Sequence, residues 1–361
     1  MTTDDTDPQP EHGADDPSAG RSHVLRAAER WLRQAGLRLV GYLVAAYLLI
    51  RLLPALREAL EDLERPSWGW LVAVFALEIV SEMGFVVSWQ AVVDPEGRLV
   101  REGGPRVDVR VAWAQLGAGM FIPGGSLSSV GAGTWLLHRL GMPLKSIAER
   151  QFSLSFLNTA VDALVLIAFG LALAVGLLPG ERNPLLTVLP AGVAAVAIVL
   201  ALLAAARLRR LGSDARESGH PRFAAAVATV GMAVEDTRRL LTHRSGVRSV
   251  LGALAYLFCD VLVLFFAFPA IRAPHAPSFG VVVLAYIIGA LGGSIPLPAA
   301  VGAVGGMVGM FILYGIHRDT AVAAVVLYQA VGLIVPLIGG GIAYLLLRRD
   351  FAGSAAAEPS R

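Results

Sequence analysis

Twenty-two consecutive residues, 249–270, contain a single charged side chain, Asp260. About 20 apolar residues at 1.5 Å per residue cross a hydrocarbon layer of about 30 Å. Within hydrocarbon each backbone N–H and C=O must find its partner inside the segment, so an isolated run of this kind folds as a helix. Five more stretches share the pattern: 37–56, 68–92, 147–178, 185–206 and 319–347. Only 16% of the 361 residues are charged, against about 25% in ordinary soluble domains. The expected fold class is an all-α, polytopic membrane protein, multi-pass in the cell membrane. The lone Cys259 excludes a disulfide framework and any cysteine-based metal site.

Two further apolar regions are interrupted. Residues 111–140 are broken by Pro123-Gly124-Gly125, and 280–313 by Pro296-Leu297-Pro298. Each half runs to about 12–16 residues, or about 18–24 Å as helix, too short to cross alone. The basic residues choose between kinked spans and re-entrant hairpins. If both regions return to the side they left, and the N-terminus is cytoplasmic, 24 of the 30 Lys and Arg residues fall on the cytoplasmic side. That distribution follows the positive-inside rule, places the C-terminus in the cytoplasm as well, and favours hairpins.

The remaining segments follow from charge. Residues 1–22 hold six acids and only Arg21, read as a disordered acidic tail unlike the basic start of a signal peptide. Residues 23–36 set Val24, Ala28, Trp31 and Leu32 against Arg26, Glu29, Arg30 and Arg33, the pattern of an interfacial amphipathic helix. The transmembrane domain is expected over 37–350, with a tail at 351–361. The loop 207–248 carries nine arginines and few aromatics. It is expected to contact anionic headgroups or fix topology, not to bind nucleic acid. Trp68, Trp70 and Trp89 are expected as interface anchors.

The hairpin assignment exposes an inverted-topology repeat. One helix–hairpin–helix unit spans about 68–178 and a second, of opposite orientation, about 249–347. Ile122-Pro123 and Ile295-Pro296 occupy matching places, as do Val130-Gly131 and Val301-Gly302, and then Gly141 and Gly315. Inverted repeats with interrupted helices recur in transporters.

The sequence resembles the membrane region of lysylphosphatidylglycerol synthases and its flippase-like stand-alone relatives over roughly 37–347. The resemblance rests on IPGG at 122–125, LHRLGM at 137–142, IPLPAAVGAVGG at 295–306 and Leu327-Tyr328. It implies lipid transport, or presentation of a polar-headed phospholipid. It also locates departures. Gly305 stands where relatives usually carry a carboxylate, Gln329 where they usually carry arginine, and Asn158-Thr159 where an arginine often precedes the aspartate, here Asp162. The synthases' soluble aminoacyl-transferase part has no counterpart after Arg348-Arg349, so no enzyme activity, catalytic residue or cofactor is expected.

Ionisable groups inside membrane helices are costly and point to function. Glu78, Glu82, Asp162 and Asp260 meet that description, and no Lys or Arg shares their depth. Glu78 and Glu82 are four residues apart on one helix face. Two states suit such acids: neutral and hydrogen-bonded, or facing water, as a proton relay or a polar lining. A lipid phosphate could meet free N–H groups where each second half-helix begins. That assigns substrate binding to Gly124, Gly125, Ser126 and Ser128, and to Pro298, Ala299 and Gly302, with Gln329 as a polar neighbour. The seven histidines show no zinc spacing. Two other readings stay open: a proton-coupled small-solute transporter, and a non-transporting scaffold partnered with a lipid- or glycan-modifying enzyme.

Overall fold

Proline removes a helix-interior N–H, and adjacent glycines or a second proline complete the break. The computed structural model describes residues 67–121, 126–178, 187–196, 199, 244–293 and 301–356, and both breaks separate short helices there. In chain order the helices are α1 (Trp68–Val93), α2 (Arg98–Gly103), α3 (Val107–Phe121), α4 (Ser126–Arg139), α5 (Leu144–Ala174), α6 (Thr187–Val196), α7 (Arg244–Ala270), α8 (Phe279–Gly293), α9 (Val301–Leu313) and α10 (Arg318–Ala356). No strand occurs among the described residues. A single proline in an apolar run is tolerated: Pro269 and Pro336 lie inside α7 and α10.

Four described helices, α1, α5, α7 and α10, are long and apolar enough to cross a membrane. Their outward faces are apolar too, with Leu171, Leu251, Ile338, Ile342 and Leu345 exposed. Polar and acidic side chains are buried instead, among them Glu78, Ser81, Glu82, Gln115, Gln151 and Asp260. An apolar exterior, with the few polar groups enclosed in the core, is the arrangement a lipid solvent demands. This is a helical, multi-pass membrane protein.

Helix α1 packs along α7 in antiparallel fashion, starting where Ser67 N–H donates to the Ala270 carbonyl at 2.9 Å. The other pairings come in corresponding sets. Helix α3 lies on α10 as α8 lies on α5; α4 meets α5 as α9 meets α10; α1 meets α5 as α7 meets α10. Each short pair also packs on itself, α3 with α4 and α8 with α9. The outer ends of the first pair meet around one cleft, lined by Gly103, Val107, Arg139, Gly141 and Asp350. Those of the second lie beside the C-terminal part of α7, where Phe279 meets Phe265 at 5.7 Å and Phe311 meets Phe268 at 5.0 Å between ring centroids. The two pairs therefore open toward opposite ends of the bundle.

The matching glycines make matching turns. Gly141 and Gly315 adopt φ of +82° and +79°. After α4, Gly141 N–H bonds the His138 carbonyl and Met142 N–H bonds Leu137; after α9, Gly315 N–H bonds Ile312 and Ile316 N–H bonds Phe311. Both are Schellman-type C-caps, which need a left-handed residue.

Several expectations change. Helix α10 continues to Ala356, into the segment expected as a tail, where Ala352, Ala355 and Ala356 favour helix despite Gly353. The third span is shifted to Leu144–Ala174, because Pro143 opens it and Gly176, with φ +77°, closes it. Helix α2 was not anticipated; the Asp94 carboxylate caps it, accepting from Arg98 N–H at 2.8 Å and Leu99 N–H at 2.9 Å. Trp68 is exposed and Trp70 partly so, but Trp89 is fully buried. Its indole N–H has found an internal acceptor, so it needs no headgroup layer. The tail 1–22, the helix expected at 23–36, the span 37–56, the loop 207–243 and most of the span 185–206 lie outside the described residues.

Candidate functional site

The approach of α1 to α7 builds the site. A Cβ placed on Gly84 would stand 2.6 Å from the Tyr256 nitrogen, and one on Gly252 would stand 2.6 Å from the Ser88 nitrogen. Only glycine at both positions lets these backbones touch. Ser81 Oγ locks the seam by donating to the Tyr256 carbonyl at 2.8 Å. This contact sets the buried Glu78 and Glu82 of α1 opposite Asp260 of α7.

Asp260 gathers donors from the second unit. Its Oδ2 accepts from Tyr286 Oη on α8 at 2.6 Å and from Tyr328 Oη on α10 at 3.0 Å. The buried Glu78 carboxyl lies close enough to Asp260 to interact with it electrostatically. Two buried carboxyls side by side favour sharing one proton over carrying two charges. Glu82 faces the same pair, and its Oε2 is buried with no hydrogen-bond partner. Glu78 Oε2 likewise receives no N–H or O–H donor. Among the described residues no Lys or Arg pairs with these acids. No three His, Cys, Asp or Glu side chains there converge as metal ligands would.

Asp162, half-buried on α5, lies near enough to Asp260 to interact with it electrostatically. Asn158, one turn earlier, has a buried Oδ1 without a partner. Gln329 is half-buried beside Tyr328. The proposed phosphate contacts divide differently. Gly124, Gly125, Pro298 and Ala299 lie outside the described residues, and Ser126 and Ser128 are described only as the opening backbone of α4. Gly302 packs on Gly292, whose carbonyl oxygen would collide with an added Cβ. Its described role is therefore close helix packing between α8 and α9.

Sequence reasoning missed a second polar cluster, in the first unit. Trp89 Nε1 donates to Gln115 Oε1 at 3.0 Å, and the Gln115 and Gln151 amides pair reciprocally at 3.1 and 2.8 Å. Ser129 Oγ donates to the Gln115 carbonyl at 2.9 Å. Gly133 makes room, for a Cβ there would meet Gln115 Oε1. Glutamines at depth in an apolar run were the available signal, as were Tyr286 and Tyr328 away from the helix ends. At the end of the bundle where α1 finishes, a polar rim forms. Asp108 accepts from Gln90 at 2.6 Å, Gln90 accepts from Arg248 at 2.6 Å, and Arg110 pairs with Asp350.

The family described as Lysylphosphatidylglycerol synthase TM region matches residues 38–340. The chain belongs to this family. The match covers the first helix–pair–helix unit and the second as far as Gly340 in α10, and so contains the whole acid cluster and the amide cluster. No curated protein matches the chain. The two hydroxyl donors to Asp260 include Tyr328, part of the Leu327-Tyr328 motif, while its neighbour Gln329 is uncharged.

Proposed function

We propose that this synthase-type membrane region moves, or presents, a polar-headed phospholipid across the cell membrane, with both termini cytoplasmic. In this reading it has about six spans, and its α3–α4 and α8–α9 pairs are re-entrant hairpins entering from opposite sides. One observation carries the reading: an acid cluster without a cationic partner among the described residues sits where α1, α7, α8 and α10 meet, at the seam between two oppositely directed units. Such a seam can change the side to which it opens, and polar groups in it would spare a headgroup from hydrocarbon. The backbone opening α4 and α9 supplies N–H groups for a phosphate, and loop 207–248 meets anionic headgroups at the cytoplasmic surface. The chain itself performs no synthesis; any headgroup chemistry belongs to a partner enzyme.

Lipid movement in liposomes containing the purified chain tests the function. Labelled phospholipid should become accessible to a membrane-impermeant quencher faster than in protein-free vesicles, and Asp260→Asn should lose that acceleration. Solute accumulation driven by a pH gradient, without lipid movement, would favour the small-solute reading; neither activity would favour the scaffold. Topology is tested separately by single cysteines in a Cys259→Ser background. Positions 103 and 141 line one cleft and should label from the same, cytoplasmic side; labelling from opposite sides would remove the first hairpin.

A further inference from the structure

The acid cluster lacks a partner for every oxygen, yet three hydroxyl or carboxyl groups converge on one member. Asp260 receives Tyr286 at 2.6 Å and Tyr328 at 3.0 Å, and the buried Glu78 carboxyl lies beside it. Those three come from three different helices, α8, α10 and α1. Asp260 itself is on α7, so one carboxylate ties one helix of the second hairpin to both units.

We infer that Glu78 and Asp260 form a single-proton site whose occupancy latches the second hairpin: with the proton on Glu78, ionised Asp260 holds Tyr286 and Tyr328, and its transfer to Asp260 loosens both. This rests on the lipid-moving reading and names how that seam is controlled. The transfer is balanced, moving one proton from the Glu78 carboxyl to the Asp260 carboxylate, with no other bond made or broken.

Hydrogen bonds to an ionised acceptor are roughly twice as strong as neutral ones. Proton transfer to Asp260 therefore weakens both tyrosine contacts together. The helix that would feel it, α8, has glycines against α9. A Cβ on Gly289 would clash with Met307, and one on Gly292 with the Gly302 carbonyl, so α8 and α9 are built to move as one body. Glu82 supplies the independent sign of a ligand. It is 3% exposed, faces the pair, and keeps Oε2 without a partner; it is placed to take the proton onward. The titratable groups facing the pair are Glu78 and Glu82 on α1, Tyr256, Cys259 and Asp260 on α7, Tyr286 on α8, Tyr328 on α10 and Asp162 on α5. Among the described residues no Lys or Arg joins them. A proton fits this site better than a metal ion, because the carboxyls do not converge as ligands.

The test is infrared difference spectroscopy of the full chain in liposomes, paired with lipid movement under opposite pH gradients. At neutral pH a protonated-carboxyl C=O band is expected, lost in Glu78→Gln and shifted in frequency by Tyr286→Phe and by Tyr328→Phe. A merely structural tyrosine would leave the band where it is. A one-unit pH gradient, about tenfold in proton activity, should bias lipid movement about tenfold by its direction, and Tyr286→Phe should shrink that bias. Absence of the band in the wild type, or its replacement by carboxylate bands on adding sodium, overturns the proton site even if lipid moves. A normal band that follows both tyrosine variants, in a protein that moves no lipid under either gradient, leaves the site standing and overturns the transport reading. Lipid movement indifferent to the gradient overturns the latch.

Discussion

The two repeat units place polar side chains on corresponding helices and use them in opposite ways. In the first, α1, α3 and α5 meet through Trp89, Gln115 and Gln151, whose hydrogen bonds of 2.8–3.1 Å join three neutral groups into a closed set. In the second, α7, α8 and α10 meet through Asp260, Tyr286 and Tyr328, and α1 adds Glu78 and Glu82. The amide set has a partner for each group it brings together and no proton to exchange. The acid set has surplus oxygens and a proton with more than one place to sit. One architecture thus holds a fixed joint in one half and a titratable joint in the other, and the difference lies in the side chains rather than in the helix arrangement.

Breaking the fixed joint should have the largest effect on stability. Gln115→Met keeps the length of the side chain but leaves the Trp89 N–H and the Gln151 amide buried without partners. Hydrogen bonds within membrane helices average only about 0.6 kcal/mol, but orphaned buried groups cost about 1–3 kcal/mol each. A loss of about 2–3 kcal/mol is expected in reversible unfolding in detergent or bilayer. The folded fraction should keep its response to a pH gradient. If that response vanished as well, the first unit would be part of the switch and the contrast between the joints would fail.

The acid joint should answer in the other direction. Glu82→Met removes a buried oxygen that has no partner, so stability should rise by about 1–3 kcal/mol, while lipid movement slows. A destabilised Glu82→Met protein would mean that Glu82 is held by its surroundings, and its spare oxygen would lose its meaning.

Much of this could be read before any coordinates. Helices α1, α5, α7 and α10 were visible because apolar runs of spanning length have few other folds available, and Pro123-Gly124-Gly125 marked the break in the first hairpin because two kinds of helix-breaker act there together. Glu78, Glu82 and Asp260 stood out because charge is scarce in such runs. What stayed hidden was pairing. Nothing in the spacing of Tyr286 and Tyr328 says that both hydroxyls reach one aspartate, since that depends on how α7, α8 and α10 cross. Trp89 was misread for the same reason: an indole near a helix end suits the headgroup layer equally well, and only the position of Gln115 on α3 turns it inward. Helix α2 escaped because its start depends on a single capping carboxylate, Asp94, and not on any periodic pattern.

A smaller effect is expected from Tyr328→Phe. It deletes one of the hydrogen bonds to Asp260 and leaves the ring in place against Tyr286, 6.2 Å away between centroids. The cost should be about 1.5 kcal/mol, the lower end of the range for a bond to a charged acceptor. The informative comparison is with Trp89→Phe, which also deletes one donor but to a neutral amide. If Tyr328→Phe cost no more than Trp89→Phe, the acceptor would not carry charge, and Asp260 would not be the ionised partner in the resting state.

The smallest difference should appear where the units are alike. Gly141 and Gly315 close α4 and α9 with φ of +82° and +79° and the same pair of carbonyl contacts, and neither has an atom within 4 Å of an added Cβ. Alanine at either position therefore meets only backbone strain, about 1–2 kcal/mol for an L-residue in the left-handed region. The two variants should lose the same stability to within a few tenths of a kcal/mol, because no neighbouring side chain distinguishes them. Their function should differ all the same. Gly315 ends the hairpin whose first helix Tyr286 fastens to Asp260, whereas Gly141 ends the hairpin secured by Gln115. Loosening the turn at 315 should make lipid movement less sensitive to the pH gradient, and loosening the turn at 141 should not. Equal stability losses with equal loss of pH response would place the switch in both hairpins, and the asymmetry drawn from their side chains would then have no functional counterpart.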